Sequence, residues 1–504
     1  MNKTEVESDS AQNTARSYRA NQLSPLADLA ALVGLDKYFN GDVLMHGADP
    51  LLRSPHRLSE ATAYALLLEG MAASSVWQHA NKQSESSSME VYVADAIHAL
   101  HSTHFLWHSG YSMSVGAEFI PTNGIFRCKD GKYIMTESGP PYVKLERGYL
   151  NFFNCGNNRE AIAKAISNYD ALDLQEQLSS LGLPASMAHS PEEWRNHPQG
   201  KILTQCPVIE IEKIADGEPV EFPSGTKYPL DSVRVIDFTH VLAGPRSMRS
   251  LAQYGAEVLH ISSPYHRDSV AQNLLVNIGK RSAYLLLTQE EDRKRIHELI
   301  DGADVFSFSY RPSVAEKFGL TPAELAQKHR GIVCLTVNAY GHSGPWQLRP
   351  GFDHNVQVAT GIAHSEGAGR QHETVGETGA PGHQNGGIVV PQLSPVFYLN
   401  DFLTGYLAAA GVMAALLRRA TEGGSYHVKV SLARSAMWVQ DLGYLAESQY
   451  KLAPEFDNYP VNLHTIQTAC GKVTELEPAV SFSSLPRKNL ETLQPFGADP
   501  PEFL

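Results

Sequence analysis

One stretch of this chain occurs twice, and that repetition limits its fold more than any single motif. Leu58-Ser-Glu-Ala-Thr-Ala-Tyr-Ala-Leu-Leu-Leu-Glu-Gly-Met resembles Leu399-Asn-Asp-Phe-Leu-Thr-Gly-Tyr-Leu-Ala-Ala-Ala-Gly-Val, setting Glu60 opposite Asp401 and Gly70 opposite Gly411. Past a polar turn, Met89-Glu-Val-Tyr-Val-Ala-Asp-Ala lies opposite Val428-Lys-Val-Ser-Leu-Ala-Arg-Ser. Each copy reads as an acidic residue, an alanine-rich helix, a turn, a strand and a second helix. Two alanine-rich helices can look alike by chance, but the shared order of acid, turn and strand argues for one unit used twice.

The rest of the chain divides around these copies. Residues 1–50 read as a polar tail and a helical lead-in over Leu26–Leu35. Residues 51–210 carry the first copy, and then Phe126-Arg-Cys-Lys-Asp-Gly-Lys-Tyr-Ile-Met135, where Asp130-Gly131 predicts a hairpin turn between two short strands. Helical patterns follow over 159–167 and 172–181. Residues 211–230, rich in Pro, Gly and Glu, read as a linker. From 231 to 445 short apolar runs (233–238, 257–261, 282–287, 304–308, 331–337) alternate with helical patterns. This predicts an α/β fold, an open, mainly parallel Rossmann-like sheet whose ligand sits beyond the carboxyl ends of its strands, with a second, small α+β domain. The 361–387 stretch, dominated by glycine, histidine and polar residues, reads as an extended loop. Residues 446–504 show little periodicity.

Charge narrows the partners. Asp and Glu number 54 against 41 Lys and Arg, a net of −13, and no basic block exists, so a nucleic-acid backbone is not the expected ligand. The five cysteines are scattered with no C-x-x-C pair, which argues for a reducing compartment and against structural zinc. The polar N-terminus offers no signal peptide, and no run reaches about 18 uncharged apolar residues. The expectation is a cytoplasmic protein with no membrane span. His364, His372 and His383 lack the spacing and partners of a metal site, so no metal is expected.

Eight stretches, in order, resemble the class III coenzyme A transferases (CaiB/BaiF-like), which include formyl-CoA and carnitine-CoA transferases and the 2-methylacyl-CoA racemases. They are Val235-Ile-Asp-Phe-Thr-His-Val-Leu-Ala-Gly-Pro245, Tyr254-Gly-Ala-Glu-Val-Leu259, Asn277-Ile-Gly-Lys-Arg-Ser282 and Ala303-Asp-Val-Phe306. Then come Tyr310-Arg-Pro312 with Phe318-Gly-Leu320, Tyr340-Gly-His-Ser-Gly-Pro345, Pro350-Gly-Phe-Asp353 and Asn400-Asp-Phe-Leu-Thr-Gly405. The 126–134 hairpin and the 181–198 stretch look like the small domain of such a protein. The order is rearranged: the rear of one family unit precedes the front of another. The resemblance implies a homodimer, interlocked in the family, or a site completed by the chain's own two ends.

Under that resemblance Asp401 is the nucleophile. A carboxylate there attacks an acyl-CoA thioester and relays CoA through an aspartyl-CoA thioester to an acceptor acid. Helix capping is the competing role for an aspartate at a helix start. Glu60 is the equivalent in a copy with no CoA-binding front half, and is expected to be structural. CoA contacts are expected from His240, Leu242 and Ala243 after the first strand, His266 and Arg267 after the second, and Asn277, Lys280 and Arg281 before the third. Arg311 and the Tyr340-Gly341 turn complete the set, the turn through backbone N–H groups that can hold an oxyanion. Leu242 stands where the formyl-CoA enzyme has glutamine, favouring a larger or less polar acyl group. The racemases carry histidine just before the residue matching Asp353; here that residue is Phe352, with His354 following, which favours transfer over racemisation. CoA or acyl-CoA is expected as substrate, with no tightly bound cofactor, an acyl-CoA as donor and a carboxylic acid as acceptor. Isomerase or lyase chemistry on an acyl-CoA, or a non-catalytic CoA-binding subunit, are the alternatives.

Overall fold

A computed structural model of the protein describes residues 17–19, 22–83, 86–114, 120–139, 142–265, 268–370, 389–453 and 459–504. Its main element is a seven-stranded sheet. Six strands, taken in chain order as Arg234–Phe238, Glu257–Ser262, Arg281–Tyr284, Val305–Phe308, Val333–Asn338 and Ser425–Ser431, run parallel in the spatial order 3-2-1-4-5-6. That is the doubly wound arrangement predicted from the alternation of short apolar runs and helices. Strands one and four are neighbours, so the chain reverses its direction of travel there and leaves a crevice at their carboxyl ends.

The seventh strand, Glu210–Ala215, is antiparallel to Ser425–Ser431. It occupies the start of the stretch read as a linker. Alternation explains it: Ile211 pairs with Val428, while Lys429 bonds Glu210 at 2.8 Å and Glu212 at 2.7 Å.

Both copies of the repeat fold as expected, and the likeness goes further than the sequence alignment. Leu58–Asn81 and Leu399–Glu422 are 24-residue helices that pack against each other. Each bridges two parallel strands, Val43–His46 to Met89–Tyr92 in the first copy and Val333–Asn338 to Ser425–Ser431 in the second. The aligned glycines let each helix approach its own strand. A Cβ on Gly70 would lie 3.0 Å from Met89 Sδ, and one on Gly411 would lie 3.0 Å from Val428 Cγ1. Leu399–Glu422 is long and apolar enough to cross a membrane, but it is enclosed by the protein on all sides.

The copies also exchange edge strands. Glu210–Ala215, which follows the small domain of the first half, pairs with the strand of the second copy. Val480–Phe482, which follows the second copy, pairs with Met89–Tyr92 of the first. Each half of the chain thus completes a sheet of the other. The segment from 446 onward, aperiodic in sequence, also forms the hairpin Leu463–Thr468/Gly471–Leu476. Its second strand also pairs with the remote strand Trp107–His108.

The small domain is a three-stranded sheet, Gly124–Arg127, Tyr133–Thr136 and Ala185–Met187, backed by Val143–Phe153, Arg159–Ile166 and Ala171–Ser180. The hairpin turns where predicted, with Gly131 left-handed at φ 82°. Helix Asp353–Thr360 packs against this sheet and seats the small domain over the large one. Residues 362–370, read as loop, continue as a helix; 371–388, including His372 and His383, lie outside the described residues.

Candidate active site

At the crevice, the loop after the first strand is tied to its surroundings. The His240 N–H donates to Ser309 Oγ at 3.0 Å, and its ring stacks on Tyr310 with centroids 4.6 Å apart. Val241 is left-handed at φ 68°, an unfavourable state for a β-branched residue, and its N–H donates to Asp268 Oδ2 at 2.8 Å. From the small domain, Tyr142 donates to Asp268 Oδ1 at 2.7 Å and lies 3.2 Å from His240 Nδ1. The first half of the chain therefore roofs the crevice built by the second.

Asp401 lies in the first turn of its helix, with 7% of its surface exposed. Its side chain does not cap that helix. The capping acceptor is Asp353, whose Oδ2 takes the Asp401 N–H at 2.8 Å and whose Oδ1 takes Asn400 Nδ2 at 3.2 Å and Gln357 Nε2 at 2.7 Å. The Asp401 carboxylate is left to face the Ala243 N–H, in the first turn of Ala243–Gln253. Burial first, then the charges of Asp353 and Glu137, push Asp401 well above the usual carboxylate range, against the pull of His354 and the Ala243 N–H. Burial likewise raises Asp353, to about 6.

His354 sits beside this pair. Its Nδ1 is 2.8 Å from Glu137 Oε1 and its Nε2 is 3.1 Å from the Phe397 carbonyl oxygen. Two acceptors call for two N–H groups, which is the imidazolium. Burial opposes that charge, but Glu137, and after it Asp353 and Asp401, hold His354 up to about 9. Glu137 comes from the small domain, directly after its second strand.

The other candidates divide. Ala243, His240 and Arg311 are at the crevice; Arg311 is exposed there and donates to the Gly182 carbonyl of the small domain at 3.4 Å. Leu242 is fully buried in the main core and does not face the crevice as an acyl-pocket wall. Lys280 is 2% exposed, and its three N–H groups are taken by Asp237 Oδ2 (2.7 Å), the Pro245 carbonyl (2.7 Å) and Asn277 Oδ1 (3.0 Å). It has no donor left for a phosphate, and Asn277 is absorbed in the same cluster. Burial opposes ionisation of Asp237, yet Lys280 and His260 hold it well below the usual range. Arg281 is engaged by Glu257, Asp499 and the Glu502 carbonyl. The Gly341 N–H donates to Asn338 Oδ1 at 2.7 Å and so is taken, and Tyr340 is buried with its hydroxyl 2.7 Å from Ser186 Oγ of the small domain. His266 and Arg267 lie outside the described residues. Among the described residues no cluster of His, Cys, Asp or Glu has a metal-binding arrangement.

Sequence reasoning missed Glu137, Tyr142 and Asp268, and left His354 without a role. Thr136-Glu-Ser-Gly139 directly after a predicted strand was the available signal for Glu137.

Fold and site together define a doubly wound α/β protein with a buried carboxylate at the crevice, held between two helix starts. Residues 230–467 match the family model for CoA-transferase family III. Among curated relatives, the acetyl-coenzyme A transferase nodX of Hypoxylon pulicicidum is 29% identical over 334 residues, 62% of this chain and 54% of its own length. An acyl-CoA transferase of Gibberella moniliformis is 32% identical over 337 residues, 63% of this chain and 57% of its own. The chain spans little more than half the length of these relatives. The crystal structure of Rv3272 from Mycobacterium tuberculosis is 30% identical, covers 51% of this chain and 63% of its own, and superposes with a TM-score of 0.34.

Proposed function

We propose that the protein transfers coenzyme A from an acyl-CoA thioester to a free carboxylic acid, with Asp401 as the covalent relay. The observation that carries this reading is a carboxylate that is desolvated, spared from capping its own helix, and aimed at a backbone N–H at the crevice. Desolvation makes a carboxylate more basic and a better nucleophile.

The relay conserves every bond. Asp401 attacks the thioester carbonyl and CoA thiolate leaves, forming a mixed anhydride. The thiolate attacks the aspartyl carbonyl and releases the donor acid, leaving an aspartyl-CoA thioester. The acceptor carboxylate then attacks that carbonyl, displacing the thiolate and forming a second anhydride. The thiolate takes the acceptor acyl group, and Asp401 is regenerated. His354 as imidazolium offsets the negative charge gathered around Asp401. His240, Tyr310 and Arg311 line the crevice where the CoA chain would lie. Five unpaired cysteines support a reducing, cytoplasmic setting. Asp401 and Glu137 come from the two halves of one chain and meet in one site, which supports a site built from the chain's own two ends; a homodimer remains part of the proposal.

Isomerisation at the α-carbon is disfavoured. Phe352 cannot accept a proton, and both ring nitrogens of His354 already donate. Incubation in D2O with a panel of acyl-CoAs and carboxylic acids tests the choice. New acyl-CoA with no deuterium at the α-carbon is the expected result; deuterium incorporation without any acceptor acid would overturn it.

A further inference from the structure

A second polar cavity, about 430 Å³, lies where the two repeat helices, helix Ala243–Gln253 and the C-terminal segment meet. Its wall carries acids and bases alike, Glu477 and Glu491 among them, and they are paired differently. Arg249 is committed to Glu475 at 2.6 Å, and Glu475 also faces His464 at 3.5 Å. Arg246 instead lies over the Tyr406 ring at 4.8 Å and Arg487 over the Phe482 ring at 5.2 Å. Neither guanidinium forms an ion pair among the described residues. Glu69, which feels the charge of both, is 4% exposed and bonded by Ser250 Oγ at 2.9 Å. Burial pushes Glu69 up to about 7 despite Arg246 and Arg487, so at neutral pH it only partly offsets them.

Two arginines stacked on rings, at the wall of a cavity large enough for a small organic acid, are arranged for bidentate contact with an anion. We propose that this cavity is a second binding site, distinct from the crevice at Asp401, for a small dianion: a dicarboxylate or a phosphate group held between Arg246 and Arg487. Arg246 lies one helical turn from Ala243, and Phe402, also in the cavity wall, is the neighbour of Asp401. An occupant would therefore rest against both helices that position the nucleophile.

Titration calorimetry on the full chain tests this, with saturating CoA present to fill the crevice. Succinate and inorganic phosphate are the two probes, and their relative affinities show whether carboxylate or phosphate chemistry is preferred. At least one should bind, and Arg487→Gln, in a half-exposed segment, should weaken it about 10-fold or more. Arg246→Gln should do the same if it folds, whereas Lys294→Glu, on an exposed helix face, should change nothing. The proposal fails if neither probe binds with CoA present, if CoA competes with the probe, or if Arg487→Gln leaves the affinity intact.

Discussion

The two copies of the repeat place a carboxyl pair in the same geometry and surround it differently. In the first, the Glu60 N–H donates to Asp49 Oδ2 at 2.9 Å; in the second, the Asp401 N–H donates to Asp353 Oδ2 at 2.8 Å. Both acceptors are buried, and burial raises Asp49 to about 7, with the Glu60 charge adding to it, and Asp353 to about 6. The difference lies in what meets the helical acid. Glu60 is neutralised by Arg57 at 3.0 Å on its own helix start. Asp401 meets a backbone N–H from the first turn of helix Ala243–Gln253, with a small-domain glutamate and an imidazolium close by. The strand–helix–strand unit thus fixes where the acid stands, and the preceding half-sheet decides what chemistry it can do.

The largest expected contrast is between the two acids themselves. Asp401→Ala should lower CoA transfer by about a thousandfold or more, as loss of a covalent nucleophile does. Glu60→Gln should leave kcat within about twofold, because it removes only a partly exposed ion pair.

Lys280 sharpens the comparison from the half-sheet that the first copy lacks. Lys280→Met strands the buried Asp237 charge and should cost about 3–5 kcal/mol, read by denaturant unfolding. The depressed Asp237 contributes stability above its unfolded value, and that contribution is lost as pH falls toward its folded value. The wild type should therefore lose this increment in acid, and the variant should have none of it to lose.

Asp353→Asn removes the nearest negative charge from Asp401 and should lower its pKa. On the proposed relay Asp401 must be ionised, so kcat/KM should rise with pH through that value. The acid limb of the profile should then move to lower pH in the variant, alongside an activity loss of about 10-fold from the weakened bonds to Asn400 and Gln357. An acid limb that stays in place would show that Asp353 does not set the protonation of Asp401.

The smallest effect is in packing. A Cβ on Gly411 would lie 2.7 Å from Ile209 and 3.0 Å from Val428, both β-branched, whereas one on Gly70 meets the flexible end of Met89 and the Phe482 ring. Gly411→Ala should be destabilising by about 1–3 kcal/mol. Gly70→Ala should come closer to neutral, since replacing a helical glycine returns about 1 kcal/mol. Equal melting shifts would break the parallel drawn from the aligned glycines.

What the chain reveals before folding follows the range of the interactions involved. The parallel strands, the hairpin at Asp130-Gly131 and both long helices are local patterns of burial and turn chemistry, and they were legible. So was the place of Asp401 in the first turn of its helix, matching Glu60, through the repeat. The exchanged edge strands were not, because Ile211 and Val480 find partners more than two hundred residues away. Lys280 and Arg281 show the same limit from the other side. Charges in a loop suggest phosphate contacts, and only the fold reveals that Asp237 and Asp499 have already claimed them. Glu137 and His354 become a pair only when the small domain closes over the crevice.

The most direct test of the central claim is peptide mass spectrometry after incubation with acyl-CoAs and trapping with hydroxylamine. The account predicts a hydroxamate or a CoA adduct on Asp401, absent from Asp401→Ala, and no modification of Glu60. Turnover with Asp401 unmodified, or a trapped adduct on Glu60, would contradict it.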